Sequence, residues 1–162
     1  MRIISTHFSK DSNGKQFTTM RLSMGAIDQY SIDNIDGFAE RLSQILPGIS
    51  FHGVKGQNGP GNGAGLAEVV VRTALALQTL AGLQFCSWKV NGTNTPGNYD
   101  ITFDCSDESI GDYVARAAFR IVRAALFRQR YSLSPDLNML RMMTSQSVPA
   151  GRKNTGAVSF AE

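Results

Sequence analysis

The sequence predicts a single α+β domain in which helices pack on one face of a mostly antiparallel sheet. Three observations indicate this class. Candidate strands occur in adjacent pairs joined by turn residues, the helical segments carry apolar faces, and 162 residues are enough for one hydrophobic core. The predicted order is strand, strand, helix, strand, helix, strand, strand, helix, helix. Adjacent strand pairs favour hairpins over the parallel crossovers of a dinucleotide-binding fold.

Each element is predicted from its periodicity and its flanking residues. Alternating or β-branched runs bounded by turn residues predict the strands, which are residues 2–8, 16–24, 49–54, 85–90 and 98–103. Helical periodicity with capping residues predicts the helices, which are residues 34–46, 66–82, 107–128 and 134–143. Asp33 or Asn34 is the expected cap of the first helix, and Asn13-Gly14 is the expected turn of the first hairpin.

The chain divides by composition into a domain at residues 1–144 and a polar tail or linker at residues 145–162. No apolar run reaches the roughly 18 residues of a membrane span, and the N-terminus does not resemble a signal peptide. Cys86 and Cys105 share no metal-ligand spacing. We therefore expect two reduced thiols in a cytoplasmic protein without membrane contact.

A glycine-rich segment precedes the second predicted helix, with six glycines in residues 53–65. It is interpreted as a flexible connection, as an anion site at the helix N-terminus, or as part of a nucleotide fold. No Lys-Ser or Lys-Thr pair follows Gly61-Asn62-Gly63-Ala64-Gly65, so the segment is not a P-loop.

Positive charge is concentrated in the C-terminal part of the chain. Residues 113–153 hold seven arginines and one lysine against a single acid, Asp136. Arg116, Arg120, Arg123 and Arg130 fall near one face of the long helix at residues 107–128 and just beyond it. This face is either solvated or a binding surface for an acidic polymer. Nucleic acid is disfavoured because no aromatic residues interleave with the arginines.

The apolar helix at residues 66–82 carries no catalytic set, and none is visible elsewhere. His7 and His52 have no partner at metal-ligand or triad spacing, and the sequence lacks a G-x-S-x-G elbow. Asp104 and Glu108 lie in an acidic cluster after a strand, where helix capping is an adequate explanation. These patterns predict a protein that binds rather than catalyses.

Several stretches resemble, in the same order over residues 1–143, the N-terminal domain of cyanophycin synthetases. They are Met1-Arg2-Ile3, Asp36-Gly37-Phe38, Leu46-Pro47, His52, Ala74–Gly82, Thr95–Tyr99, Gly111, Tyr113 and Arg116–Arg120. The resemblance implies a domain of a much longer ATP-dependent ligase that polymerises aspartate and arginine. Cyanophycin and the ligase domains are the implied partners, and the whole enzyme is expected to be a homo-oligomer.

In many such domains the corresponding helix carries H-x-x-E-H, a zinc hydrolase motif. Aligned through Gln78, the three motif positions are Glu68, Val71 and Arg72. Glu108 could supply a third acidic ligand, but one carboxylate cannot make a zinc site. We therefore expect no catalytic residues, metal or cofactor in this chain, with ATP and Mg²⁺ confined to the ligase units.

The function predicted from the sequence is non-catalytic polymer binding and scaffolding. Neither ligase unit fits in this chain, which is therefore either a domain of a longer enzyme or a separate protein. The alternatives are a metal-dependent cyanophycin hydrolase with a displaced site and a binder of nucleic acid or anionic surfaces. The predicted polymer-binding residues are Glu68, Arg72, Asp104, Glu108, Arg116, Arg120 and Arg123.

Overall fold

A computed structural model of the chain describes residues 1–29, 32, 35–47, 63–85 and 87–147. The strands are β1 (Arg2–Lys10), β2 (Gln16–Ser23), β3 (Trp88–Gly92) and β4 (Asn98–Asp104). The helices are α1 (Phe38–Ile45), α2 (Gly63–Leu80), α3 (Glu108–Leu126) and α4 (Ser134–Ser147), and a 3-10 turn spans Gly25–Gln29. No helix in the described ranges is both long and apolar enough to cross a membrane.

The four strands form one sheet in the order β1-β2-β4-β3, and every pairing is antiparallel. Helix α2 packs on β3 and β4, α3 packs on β1 and β2, and α1 and α4 pack mainly on α3. The α+β class and the antiparallel sheet are thus confirmed. Because side chains alternate along a strand, the sheet has a helical face and an open face. The helical face carries Met20, Leu22, Tyr99, Ile101 and Phe103, and the open face carries Thr19, Arg21, Lys89, Asp100 and Thr102.

The first hairpin and the long helix confirm their sequence predictions. Asp11 accepts hydrogen bonds from the backbone N–H groups of Asn13 and Lys15 at 2.9 and 2.8 Å, and Gly14 has a φ of 77°. Asp107 caps α3 through a 2.9 Å hydrogen bond from the N–H of Ile110. A short polar side chain therefore closes each of these local structures, as its type predicts.

Helix α2 begins at Gly63, three residues earlier than predicted, inside the glycine-rich segment. Ala64, Leu66 and Ala67 are buried in the core, so packing outweighs the low helix propensity of the flanking glycines. The helix ends as predicted near Gly82, whose φ of 88° lets the next N–H, of Leu83, bond to Gln78 O at 2.9 Å.

Strand β3 lies slightly later in the chain than predicted, and α4 is longer than predicted. The N–H of Ser87 bonds to the Asp104 carboxylate, so regular pairing starts only at Trp88. In α4, Thr144 and Ser145 donate to the carbonyl oxygens of Arg141 and Met142 at 2.9 and 2.8 Å, which satisfies backbone acceptors near the end of the helix.

Some predictions fall outside the described residues. They are the strand at residues 49–54, His52, most of the glycine-rich segment, Cys86 and residues 148–162. The predicted cap at Asp33 or Asn34 is wrong, because α1 begins later, at Phe38, and Gly37 holds the N-cap position.

Helix α3 approaches the sheet closely at Gly111. A Cβ atom at this position would lie 1.9 Å from Thr18 Oγ1 and 3.0 Å from Cys105 Sγ. These two atoms already contact each other at 3.3 Å in the buried core. Only a residue without a side chain therefore fits between α3 and β2. Burial beneath this contact raises the pKa of the Cys105 thiol.

We predict that Gly111→Ala lowers the free energy of unfolding by about 1–3 kcal/mol, because the added methyl group overpacks a filled contact. An unobstructed helical site would instead gain about 0.5–1 kcal/mol from the same change. Urea unfolding measures the difference. The second change Thr18→Ala removes the clashing hydroxyl and should make Gly111→Ala less costly; equal costs in both backgrounds would contradict the contact.

Candidate functional site

Five charged residues of α3 form one exposed line, which we name the charged stripe: Glu108, Asp112, Arg116, Arg120 and Arg123. Their spacing of three or four residues places them along one side of the helix, over about 22 Å at the α-helical rise. The opposite side is buried, as predicted, through Ile110, Val114, Ala117, Ile121 and Ala125. Acids at the N-terminal end and arginines toward the C-terminal end also suit the helix dipole.

Contacts within and beside the stripe orient its arginines. Arg116 donates to Asp112 at 2.8 Å, and this hydrogen bond raises the pKa of the guanidinium. Arg123 lies over the ring of Phe127, with 5.9 Å between the guanidinium carbon and the ring centroid. About half of the Arg116 side chain remains exposed (53%), so the ion pair leaves guanidinium hydrogens available to a ligand.

Asp136, at the start of α4, joins three elements of the C-terminal half. Its carboxylate accepts hydrogen bonds from Tyr113 and Arg120 of α3, both at 2.8 Å, and from Tyr131 of the connecting loop. Asp136 is 6% exposed, whereas 47% of the Arg120 side chain remains exposed. Burial and then the bond to Asp136 raise the pKa of Tyr131 to about 12. Arg120 is thus both a stripe residue and a support for α4.

Glu68 and Arg72 of α2 form a separate ion pair. Arg72 Nη2 lies 2.6 Å from Glu68 Oε1, and Arg72 Nε donates to the same oxygen at 2.9 Å. The Arg72 guanidinium also lies over the Trp88 ring at 5.7 Å. The pair therefore ties the N-terminal half of α2 to the edge strand β3.

These α2 residues do not fit a zinc ion. Val71 is fully buried, and Arg72 places a permanent cation against the one carboxylate of the set. Glu108 lies on α3 and borders a pocket formed with β1 and β2, together with Asp112 and Thr18. Within the described ranges, no three His, Cys, Asp or Glu residues group closely enough to hold a metal ion.

Asp104 lies at the end of β4, buried except for 2% of its surface. Lys15 forms an ion pair with it at 2.9 Å, and the N–H of Ser87 donates to both of its oxygens at 3.1 and 3.2 Å. Asp104 thus closes the hairpin of β3 and β4 onto the turn that precedes β2.

The predicted residues therefore occupy three places. Glu108, Arg116, Arg120 and Arg123 share the charged stripe, Glu68 and Arg72 pair with each other on α2, and Asp104 is bound to Lys15. Sequence reasoning did not include Asp112 or Lys15. Asp112 could have been found from its position four residues before Arg116. Lys15 could not, because its partner is distant in sequence.

Comparison with known proteins shows the family to which this chain belongs. The family model of the cyanophycin synthase-like N-terminal domain matches residues 19–127, which include most of β2 and all of α1, α2, β3, β4 and α3. The chain belongs to this family. The match confirms the resemblance drawn from the ordered sequence stretches.

The relatives are much longer than this chain. A cyanophycin synthetase of Synechocystis sp. is 30% identical over 142 residues, covering 82% of this chain and 16% of the relative. One of Geminocystis herdmanii is 27% identical over 161 residues, covering 91% and 18%, and one of Trichormus variabilis is 30% identical over 135 residues, covering 75% and 14%. The chain thus spans less than a fifth of the length of these relatives.

We predict that Asp136→Asn lowers the free energy of unfolding by about 2 kcal/mol. Hydrogen bonds to a charged group contribute about 1.5–3 kcal/mol, and the exposure of Arg120 reduces its share. The pKa of Tyr131 should fall from about 12 toward its ordinary value near 10, because the carboxylate that opposes a phenolate is gone. Urea unfolding and ultraviolet titration of the tyrosines measure the two effects.

Asp112→Asn is the matched control, since it removes an acid from an exposed pair on the adjoining helix. It should change stability by less than about 0.5 kcal/mol and leave the phenolate titration unchanged. Equal effects of the two substitutions would contradict a special role of Asp136.

Proposed function

We propose that this chain is a polymer-binding and scaffolding N-terminal domain of a cyanophycin synthetase-like ligase, and that it acts by binding rather than catalysis. The family supports the association with that enzyme class. The polymer implied by the family resemblance has an aspartate backbone bearing arginines. A surface complementary to such a chain must therefore present both signs of charge.

The charged stripe is the observation that carries this proposal. It offers two acids and three arginines in a continuous exposed line on a rigid 19-residue helix. Arginine forks match carboxylates through paired N–H groups, and the acids match guanidinium groups in the same way. A zwitterionic chain laid along α3 would thus meet carboxylates at one end and guanidinium groups at the other.

Individual roles follow from exposure and existing contacts. Arg116 and Arg123 would bind carboxylates, and Glu108 would bind a guanidinium group. Arg120 would add its exposed portion while holding Asp136. Glu68, Arg72 and Asp104 would exchange or share their present partners with the polymer, at positions away from the stripe.

The scaffolding part of the proposal concerns the remainder of the enzyme. ATP and Mg²⁺ would be bound by ligase units, and this domain would hold the polymer beside them. In the relatives at least four-fifths of the chain lies outside the matched part, which is ample for such units. Contact with those units, and their assembly into a homo-oligomer, complete the proposed role in a cytoplasmic enzyme.

We expect the 162-residue chain to bind cyanophycin at low salt and more weakly at moderate salt, because exposed charge contacts are screened. The double substitution Arg116→Gln/Arg123→Gln should weaken binding roughly tenfold, at about 0.5–1 kcal/mol for each exposed contact. Sedimentation with the polymer or calorimetric titration measures it.

The matched control is Arg2→Gln/Lys10→Gln, which changes the net charge equally at exposed positions of β1. It should retain most of the affinity. Equal loss in both variants would reduce the effect to net charge, and no binding at either salt concentration would remove the polymer role. Zinc-dependent shortening of the polymer that a chelator abolishes would assign hydrolysis instead.

A further inference from the structure

The open face of the sheet holds a cavity of about 370 Å³ that no predicted site residue lines. It lies over the strands β2, β4 and β3, with Phe17 and Trp88 as its aromatic lining and with Thr19, Thr102, Ser87 and Lys89 as its polar lining. Its volume falls in the range of small-ligand sites, about 300–1,000 Å³. The charged stripe lies on the helical side of the sheet, so the two surfaces are distinct.

The polar lining is rich in unused hydrogen-bond donors. Thr19 and Thr102 share one hydrogen bond at 2.9 Å between their hydroxyl oxygens, which uses the proton of only one of them. Ser87 accepts a hydrogen bond from Lys15 at 2.5 Å, so its own hydroxyl proton remains available. At least two hydroxyl donors can therefore reach a ligand in this cavity.

The net charge of the lining is positive. Lys89 is the one formally charged residue among those that border the cavity, and it makes no ion pair within the described part of the chain. The nearby acids are already neutralised. Asp104 is bound by Lys15, and Asp100 accepts both hydrogen bonds of Arg21 at 2.7 Å. A carboxylate entering the cavity would thus meet an ammonium group and hydroxyl donors without an opposing free acid.

We infer that this cavity binds a carboxylate group of an aspartate-rich polyamide chain, with Lys89 as its cationic partner. Phe17 lies on this open face and provides an apolar ring for the methylene and amide groups that flank such a carboxylate, whereas the Trp88 ring contacts Arg72 of α2. The donors and the cation follow from the cavity itself. The choice of an aspartate-rich chain rests on the proposed function.

The probe for this site is a short oligo-aspartate peptide, which carries carboxylates but no guanidinium groups. In ¹H–¹⁵N spectra of the 162-residue chain, we expect the amide signals of Thr19, Lys89 and Thr102 to shift in a saturable manner. Lys89→Gln should weaken this binding at least fivefold, and Lys89→Arg should restore most of it, because the arginine keeps the charge.

Lys10→Gln is the matched control, since it removes the same charge from an exposed end of β1 that does not line the cavity. It should leave the affinity within twofold of the unmodified chain. Inorganic sulfate at equal ionic strength should not reproduce the shifts, because it lacks the methylene and amide groups that would contact Phe17.

Shifts confined to α3, equal losses in Lys89→Gln and Lys10→Gln, or equal shifts with sulfate would each overturn the inference. The proposed function fails separately, when cyanophycin itself does not bind or when the stripe substitutions have no effect on its binding. Oligo-aspartate can still occupy the cavity in that case, so the two failures are distinguishable.

Discussion

Helix α3 lies on the sheet at a height fixed by the contact of Gly111 with Thr18 and Cys105. Because an added Cβ atom does not fit there, Gly111 allows α3 to lie closer to β2 than any other residue at this position would. Its buried residues consequently face inward as one row, and its charged residues face outward as another. The position of α1 and α4 depends on the same contact, since both pack mainly on α3.

Helix α2 joins the core to the edge strand β3 through one pair of charged side chains. Glu68 and Arg72 occupy adjacent turns of α2, four residues apart. Here the two side chains satisfy each other at 2.6 Å, and Arg72 adds a contact with Trp88. Such a pair stabilises the junction of helix and edge strand. Val71 lies between them in the sequence and is fully buried in the core.

The sequence predicts those parts of the molecule that depend on local order. Alternation and periodicity predict the hairpin of β1 and β2 and the two faces of α3, and Asp107 predicts the cap of α3. The spacing of the arginines predicts that they share one side of α3, but it does not predict which side chains they contact. In the sequence, Asp136 is the one acid of a basic region, and no local pattern predicts its burial. In the structure it accepts hydrogen bonds from Tyr113, Arg120 and Tyr131, because tertiary packing brings these residues together. The cavity at Lys89 depends on the register of β2, β4 and β3, which no local pattern specifies.

The burial of Asp136 also affects how the domain meets other molecules in solution. It is the single acid among eight cationic residues between residues 113 and 153, and it lies inside the protein, bound to Arg120. This one acid offsets only one of the eight cationic residues, so residues 113–153 are far more basic than the net charge of +3 of the whole chain suggests. A field of one sign attracts polyanions before any contact forms and raises association rates at low ionic strength. Asp136 thus stabilises the packing of α4, while the arginines of this region determine how strongly it attracts polyanions.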